Sequence, residues 1–200
     1  HGLFDLAYLR LIPNLKVLAP KDPCELQQML ALALQSDSPV AIRYPRGSGS
    51  ENCEAGEETL EMGKGEKVYH SHLHKPRAIV GIIALGSMVY PAITAAKLLE
   101  KEGIAATVIN ARFVVPIDKK LIIDLAKSVD KIVTLEEGVL SGGFGSAVRE
   151  LLAESSVDKL VASLGLPKEF IEQGKRAELL EIHGLTPEKI KDRCLQLVGS

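Results

Sequence analysis

The chain has 200 residues, of which 46% are hydrophobic and 25% charged, a composition typical of globular proteins. Its formal net charge of -2 gives no electrostatic argument for binding nucleic acid or an anionic membrane surface. No apolar run reaches the ~20 residues that span a bilayer. We therefore expect neither nucleic acid nor a membrane as a partner. The three cysteines are far apart in the sequence, and we expect them to be reduced thiols.

Residues 15–44 predict a β-α-β unit. A short strand over 15–19 precedes Asp22, which can cap a helix, and Pro23, which suits the first helical position. Apolar residues at helical spacing follow, and a second strand is predicted over 40–44. Strands joined by such a crossover should be parallel.

The chain changes character after this unit. Residues 47–76 are glycine-rich and acidic, and they predict a linker with one hairpin over about 62–68. From residue 77 onward, strands and helices alternate, which predicts an open α/β sheet covered on both sides. The predicted strands are 78–85, 105–109, 131–135 and 159–163, and the predicted helices are 87–101, 118–128, 144–154 and 186–197.

The predicted fold class is therefore α/β, in two domains. We assign residues 1–46 to the C-terminal part of one α/β domain and residues 47–76 to a linker. Residues 77–200 form a complete second α/β domain in this interpretation.

Arg46 is the candidate anion-binding residue. It follows the predicted strand 40–44 at the carboxyl edge, where open α/β sheets bind ligands. A guanidinium presents a planar fork of donors that suits a phosphate, and Gly47 would let the backbone approach the ligand closely. The alternative is a surface arginine that pairs with a carboxylate. The pattern alone does not decide between them.

Glu136 and Glu137 precede a glycine-rich turn over 142–146, between a predicted strand and a predicted helix. Backbone N–H groups at such a helix start can hold an anion. The two carboxylates could act in acid–base chemistry. A tight turn with capping or solvated carboxylates is the simpler interpretation, which we favour.

Three histidines alternate at His70, His72 and His74, so they share one face if the segment is extended. Such a face could bind a transition metal. No carboxylate or cysteine at a matching spacing supports them, and we predict no metal site. The segments 112–118 and 170–174 are interpreted as structural, although the aromatic ring of Phe170 could serve an interface.

Several segments together resemble the 1-deoxy-D-xylulose-5-phosphate synthase family of transketolase-like enzymes that use thiamine diphosphate. Each match is moderately specific, but their shared order and spacing make the set specific. Transketolase and the β-subunits of 2-oxo-acid dehydrogenases have the same architecture and match these segments less well. The matching residues are 1–14, 19–22, 39–47, 62–66, 110–118, 133–146 and 164–174.

The resemblance implies a fold and a reaction. Residues 1–46 would end a pyrimidine-binding domain, and 77–200 would be a transketolase C-terminal domain. The family is a transferase that condenses pyruvate with D-glyceraldehyde 3-phosphate to 1-deoxy-D-xylulose 5-phosphate, with loss of carbon dioxide. It uses thiamine diphosphate and Mg²⁺ and serves isoprenoid and thiamine biosynthesis. The resemblance also implies a homodimer, located in a bacterial cytoplasm or a plastid. Of these two compartments we prefer the cytoplasm.

Few functional residues carry over from the family. Arg46 matches the arginine that holds the phosphate of D-glyceraldehyde 3-phosphate. His1 lies near the family's active-site histidine but directly precedes Gly2, so it matches the position after that histidine. The family's cofactor and magnesium motifs lie upstream of these segments.

We therefore expect the chain to be the C-terminal portion of such an enzyme, inactive alone. We predict no catalytic, cofactor-binding or metal-binding residue in it. One alternative is a free-standing α/β dimerisation module. The others are the C-terminal part of a 2-oxo-acid dehydrogenase β-subunit or of a transketolase.

Overall fold

The structure is a computed structural model that describes residues 2–47 and 60–199. It contains seven α-helices and eight strands in these ranges, together with a 3-10 turn at Gly86–Met88. The helices are α1 (Asp5–Leu9), α2 (Pro23–Leu34), α3 (Val89–Glu100), α4 (Lys119–Ser128), α5 (Phe144–Glu154), α6 (Arg176–Ile182) and α7 (Pro187–Gly199). The strands are β1 (Lys16–Leu18), β2 (Val40–Ile42), β3 (Glu66–His70), β4 (Ala78–Ala84), β5 (Ile104–Asn110), β6 (Phe113–Val115), β7 (Lys131–Val139) and β8 (Val161–Leu166).

The first sheet has the order β2-β1-β6. The predicted β-α-β unit is confirmed, because β1 and β2 are parallel and α2 connects them. Asp22 caps α2 by accepting a hydrogen bond from the Glu25 N–H, and Pro23 is the first helical residue. The third strand was not predicted, because β6 comes from the second half of the chain and pairs antiparallel with β1.

The second sheet has the order β3-β5-β4-β7-β8. Strands β5, β4, β7 and β8 are parallel, as the alternation of strands and helices predicts. The hairpin predicted over 62–68 is wrong. Instead, β3 pairs antiparallel with β5 and forms one edge of this sheet. A strand need not pair with its neighbour in sequence, and β5 offers β3 a long buried partner.

Helices cover both faces of the second sheet, and the fold class is confirmed as α/β. On one face, α3 and α7 pack against the sheet through side chains such as Leu99 and Ile190. On the other face, α4 and α5 pack through side chains such as Leu125 and Phe144, and Leu6 of α1 joins the same cluster. Nearly every residue of β4 is buried, as its continuous apolar sequence predicts.

Some local predictions need correction. The short helices α1 and α6 were not predicted, and the strand predicted at 159–163 lies at Val161–Leu166. Cys24 is disulfide-bonded, so the expectation of reduced thiols is wrong for this residue. Cys194 is a free, buried thiol. None of the described helices combines the length and apolar character needed to cross a membrane.

A buried carboxylate connects the two sheets. Glu25 is 1% exposed and accepts hydrogen bonds from Nδ2 of Asn110, at 2.8 Å, and Nε of Arg112, at 2.7 Å. It also accepts one from the backbone N–H of Lys21 at 2.7 Å. Arg112 further pairs with Glu66 on β3. Since Glu25 lies on α2 while Asn110 and Arg112 flank the turn between β5 and β6, this cluster holds the two sheets together.

We predict that Glu25→Ala lowers the free energy of unfolding by about 3 kcal/mol, because it leaves the Arg112 guanidinium partly buried with one partner fewer. Urea denaturation followed by circular dichroism measures the change. The matched control is Asp124→Ala, which breaks the exposed pair between Asp124 and Lys120 and should change stability little. Equal effects of the two substitutions would contradict the prediction.

Candidate functional site

A cavity lined by residues of both sheets lies where the two sheets meet. Its volume is about 920 Å³. The start of the chain, the segment after β2, the end of β7 and the region from 171 to 180 form its walls. Its charged lining residues are Asp5, Arg43, Arg46, Glu137 and Arg176. Leu3 fixes one wall, because its carbonyl accepts a hydrogen bond from the Val139 N–H at 2.9 Å.

Arg46 lies in this cavity wall, four residues after the end of β2. Its side chain is exposed, and among the described residues none forms a hydrogen bond or an ion pair with it. Gly47 has a φ of +148°, which favours glycine, and a Cβ there would have nothing within 4 Å. The structure thus places Arg46 at the predicted edge, and no carboxylate of the described residues pairs with it. Its role as an anion-binding residue stays a prediction.

Arg43 is a second cation of the cavity, which sequence reasoning missed. Its backbone N–H donates to the Leu18 carbonyl and so continues the first sheet. Its Nη2 donates to the backbone carbonyl of Glu137 at 2.6 Å. Burial lowers the pKa of Arg43, while the nearby Glu137 and Asp5 carboxylates oppose that shift. No local sequence pattern signals this bond, because 94 residues separate its partners.

Glu137 is buried and fully engaged by its neighbours. Its carboxylate accepts hydrogen bonds from Nε and Nη2 of Arg176, each at 2.6 Å, and from the Ser87 hydroxyl at 2.5 Å. Burial raises the pKa of Glu137, but the hydrogen bonds from Arg176 and Ser87 outweigh it, so the net pKa is lowered. Glu137 is therefore an ionised structural carboxylate rather than a free base.

Glu136 caps helix α5. Its two carboxylate oxygens accept hydrogen bonds from the N–H groups of Phe144, at 2.8 Å, and Gly145, at 2.7 Å. A Cβ at Gly143 would lie 2.3 Å from Glu136 Oε2, so this position requires glycine. The anion at this helix start is thus the protein's own carboxylate, and the favoured interpretation as a tight turn with capping is confirmed. Burial raises the pKa of Glu136 to about 7, against the opposing effect of the two N–H bonds.

The remaining sequence candidates lie elsewhere. His70 and His72 pack edge to face, and Nδ1 of His70 is 2.9 Å from the Thr107 hydroxyl. Within residues 2–47 and 60–199, no group of three His, Cys, Asp or Glu side chains could hold a metal ion. His1 lies outside the described residues. Phe170 is 95% exposed and meets the ring of Phe4 edge-on, with the ring centres 6.0 Å apart.

Comparison with known families agrees with this architecture. Residues 70–190 match the transketolase C-terminal domain family, and residues 1–50 match the transketolase pyrimidine-binding domain family. The chain belongs to the transketolase family.

Individual relatives are consistent with that family. The chain is 45% identical over its whole length to 1-deoxy-D-xylulose-5-phosphate synthase of Synechococcus elongatus, and 47% identical over 95% of its length to that of Syntrophus aciditrophicus. It spans 31% and 29% of these relatives, respectively. A solved structure of a split-gene transketolase, an inactive β4 tetramer, superposes with a TM-score of 0.86 at 33% identity. That match covers 98% of this chain and 61% of the other.

The raised pKa of Glu136 predicts a stability change with pH. Because the folded pKa, about 7, exceeds the value of 4.5 for a free glutamate, the folded state holds its proton longer. Stability should therefore fall as the pH rises from about 4.5 to 7, by up to about 3 kcal/mol at ~1.4 kcal/mol per pKa unit. Thermal melting across this range measures it.

The variant Glu136→Gln should lose this pH dependence, so its stability deficit relative to the wild type should shrink toward pH 7. The control is Glu154→Gln, an exposed change at the other end of α5, which should reproduce the wild-type curve. Parallel curves of stability against pH for the wild type and Glu136→Gln would contradict the assignment of the pH dependence to Glu136.

Proposed function

We propose that the chain is the C-terminal portion of an enzyme that condenses pyruvate with D-glyceraldehyde 3-phosphate to 1-deoxy-D-xylulose 5-phosphate, with release of carbon dioxide. The observation that carries the proposal is Arg46, an exposed guanidinium without a partner among the described residues, at a cavity between the two sheets. The names of the curated relatives support this choice of reaction. The domain assignment to 1–46, 47–76 and 77–200 forms part of the proposal.

Arg46 supplies the positive charge for the substrate's phosphate in this proposal. A phosphate monoester carries up to two negative charges and accepts a bidentate pair of N–H bonds from a guanidinium. The other two arginines of the cavity already have partners, since Arg43 donates to a carbonyl and Arg176 to a carboxylate. Arg46, which has no partner among the described residues, is therefore suited to hold the phosphate of the three-carbon aldehyde and to orient its carbonyl group.

Thiamine diphosphate with Mg²⁺ supplies the carbanion chemistry of this enzyme family. The described residues do not fit this cofactor. Its Mg²⁺ requires several free oxygen ligands. Of the two cavity carboxylates, Glu137 is engaged by Arg176 and Ser87, and among the described residues no group of three His, Cys, Asp or Glu side chains could hold a metal ion. We infer that the cofactor is held by parts of the enzyme outside this chain, and that the chain alone is inactive.

A second candidate is an assembly module without chemistry of its own. The structural neighbour described as an inactive β4 tetramer favours it, because that protein associates without catalysing. Apolar side chains on the surface, such as Leu34 and Ile182, offer contact area for a homodimer. A pure assembly module has no need to bind a sugar phosphate, so a binding measurement separates the two candidates.

We propose the bacterial cytoplasm as the compartment, on the resemblance and the bacterial relatives alone. The disulfide at Cys24 removes the argument from reduced thiols.

Binding of sn-glycerol 3-phosphate, a stable analogue of the aldehyde substrate, tests the role of Arg46. We predict that Arg46→Gln raises Kd about tenfold, the loss expected when a charged hydrogen-bonding group is removed. NMR chemical-shift titration of the chain measures Kd. Arg149→Gln, which removes an arginine far from the cavity, is the control, and glycerol tests the need for the phosphate. Equal affinities of wild type and Arg46→Gln would exclude Arg46 as the phosphate residue.

Calorimetric titration of the chain with thiamine diphosphate and Mg²⁺ should give no heat above that of dilution. The physical reason is that Mg²⁺ needs several oxygen ligands, and among residues 2–47 and 60–199 no group of three His, Cys, Asp or Glu side chains could hold a metal ion. A thermal melt of the same sample shows that the chain is folded. Stoichiometric binding would contradict the proposal that parts of the enzyme outside this chain hold the cofactor.

A further inference from the structure

Glu137 contacts both walls of the cavity. Its backbone carbonyl accepts the hydrogen bond from Arg43, and its carboxylate accepts both donors of the Arg176 fork. Arg43 precedes Arg46 by three residues. Arg176 is the first residue of α6 and follows the wall segment that contains Gln173 and Gly174. One residue near the end of β7 thus touches the segment that carries Arg46 and the opposite wall.

The segment that carries Arg46 is anchored at Arg43. The Arg43 backbone is held in the first sheet by its bond to the Leu18 carbonyl, and its side chain is held by Glu137. The chain beyond Arg43 leaves the sheet, and β2 itself ends at Ile42. The position of Arg46 therefore depends on how firmly Arg43 is held, because only two residues lie between them.

The position of α6 depends more strongly on the hydrogen bonds of Arg176 than the position of Arg46 depends on those of Arg43. This helix has seven residues, none of them buried, and no side chain caps its N-terminus. Leu179 and Leu180 of α6 face the cavity, and only Leu180 also packs against a core cluster. The two 2.6 Å bonds from Arg176 to Glu137 are therefore the main polar tether of the helix start. A lysine could not reproduce the two parallel bonds, because its ammonium is a point charge without a planar fork.

The pairing also sets the charge of the cavity. The Glu137 carboxylate neutralises Arg176 and receives a third hydrogen bond from Ser87. Without Arg176, the ionised Glu137 would present an uncompensated negative charge to any anionic ligand in the same cavity. The tether thus keeps one wall in place and shields the ligand from a repulsive carboxylate.

We propose that Arg176 and Glu137 are positioning residues for sugar-phosphate binding. Together they hold the 171–174 wall against the segment that carries Arg46 and keep the Glu137 charge neutralised. This inference rests on the proposed function, since it requires Arg46 to be the phosphate residue. Arg176 and Arg46 then act as one unit, so that removing Arg46 also removes most of the benefit of Arg176.

The test is a double-mutant cycle on binding of sn-glycerol 3-phosphate to the chain, followed by NMR titration. We expect Arg176→Gln to raise Kd about threefold to tenfold, and Arg176→Lys to restore part of the loss through its charge. In the Arg46→Gln background, Arg176→Gln should change Kd less than about twofold. The matched control is Lys175→Gln, which removes the neighbouring charge. The Lys175 side chain is 85% exposed and pairs with Glu178 instead.

The possible results separate this inference from the function that it assumes. If Arg46→Gln weakens binding while Arg176→Gln behaves like Lys175→Gln, the positioning role is overturned and the proposed function stands. Additive effects of Arg46→Gln and Arg176→Gln also overturn it, because they mean that Arg176 acts independently of Arg46. If wild type and Arg46→Gln bind equally, both proposals fail. Should Arg176→Gln fail to fold, Arg176→Lys, which keeps the charge but not the planar fork, provides the comparison.

Discussion

The two sheets of this chain are joined where the buried Glu25 carboxylate accepts hydrogen bonds from Asn110 and Arg112. A carboxylate with almost no contact with water must be matched by donors, and here two of them come from the second half of the chain. The same turn sends β6 into the first sheet, where it pairs with β1. The hydrogen bonds to Glu25 and the pairing of β6 with β1 thus lie at the same junction. Together they set the position of one sheet relative to the other.

That junction makes the cavity possible. The segment after β2 and the end of β7 belong to different sheets, yet they form facing walls because the sheets are held together. The charges of the cavity are distributed unequally between its arginines. Arg43 donates to a carbonyl, Arg176 pairs with Glu137, and Arg46 remains accessible. A site in which, among the described residues, Arg46 is the cavity arginine without a partner suits a small phosphorylated ligand better than a long polyanion.

Local signals in the sequence predicted much of the fold. Asp22 and Pro23 marked the start of α2, the apolar sequence of β4 marked a buried strand, and α5 lies at Phe144–Glu154 as predicted. Each of these features depends on residues that lie close together in the sequence. β6 could not be predicted in the same way, because three residues carry no period and its partner β1 lies about 95 positions earlier. The short helices α1 and α6 also lack enough turns for a periodic pattern.

In the candidate site, too, local sequence predicted one part, and only the folded structure shows the rest. Arg46 could be found because it follows a parallel strand, and the ends of such strands are where ligands bind. The partners of Glu137 could not, since Arg43, Ser87 and Arg176 are brought together only by the folded sheets. Family resemblance supplied a role for Arg46 but no signal for these three contacts.

The antiparallel edge strand β3 has a consequence for how the chain behaves in a crowded solution. An open sheet edge displays unpaired backbone groups that can recruit a strand from another molecule. Here the edge strand is five residues long, has a register irregularity between Lys67 and Tyr69, and exposes the charged Lys67 side chain. Short length, an irregular register and an exposed lysine each discourage pairing with a flat, regular strand. β3 therefore ends the sheet in a form that resists fibril-like growth through that side.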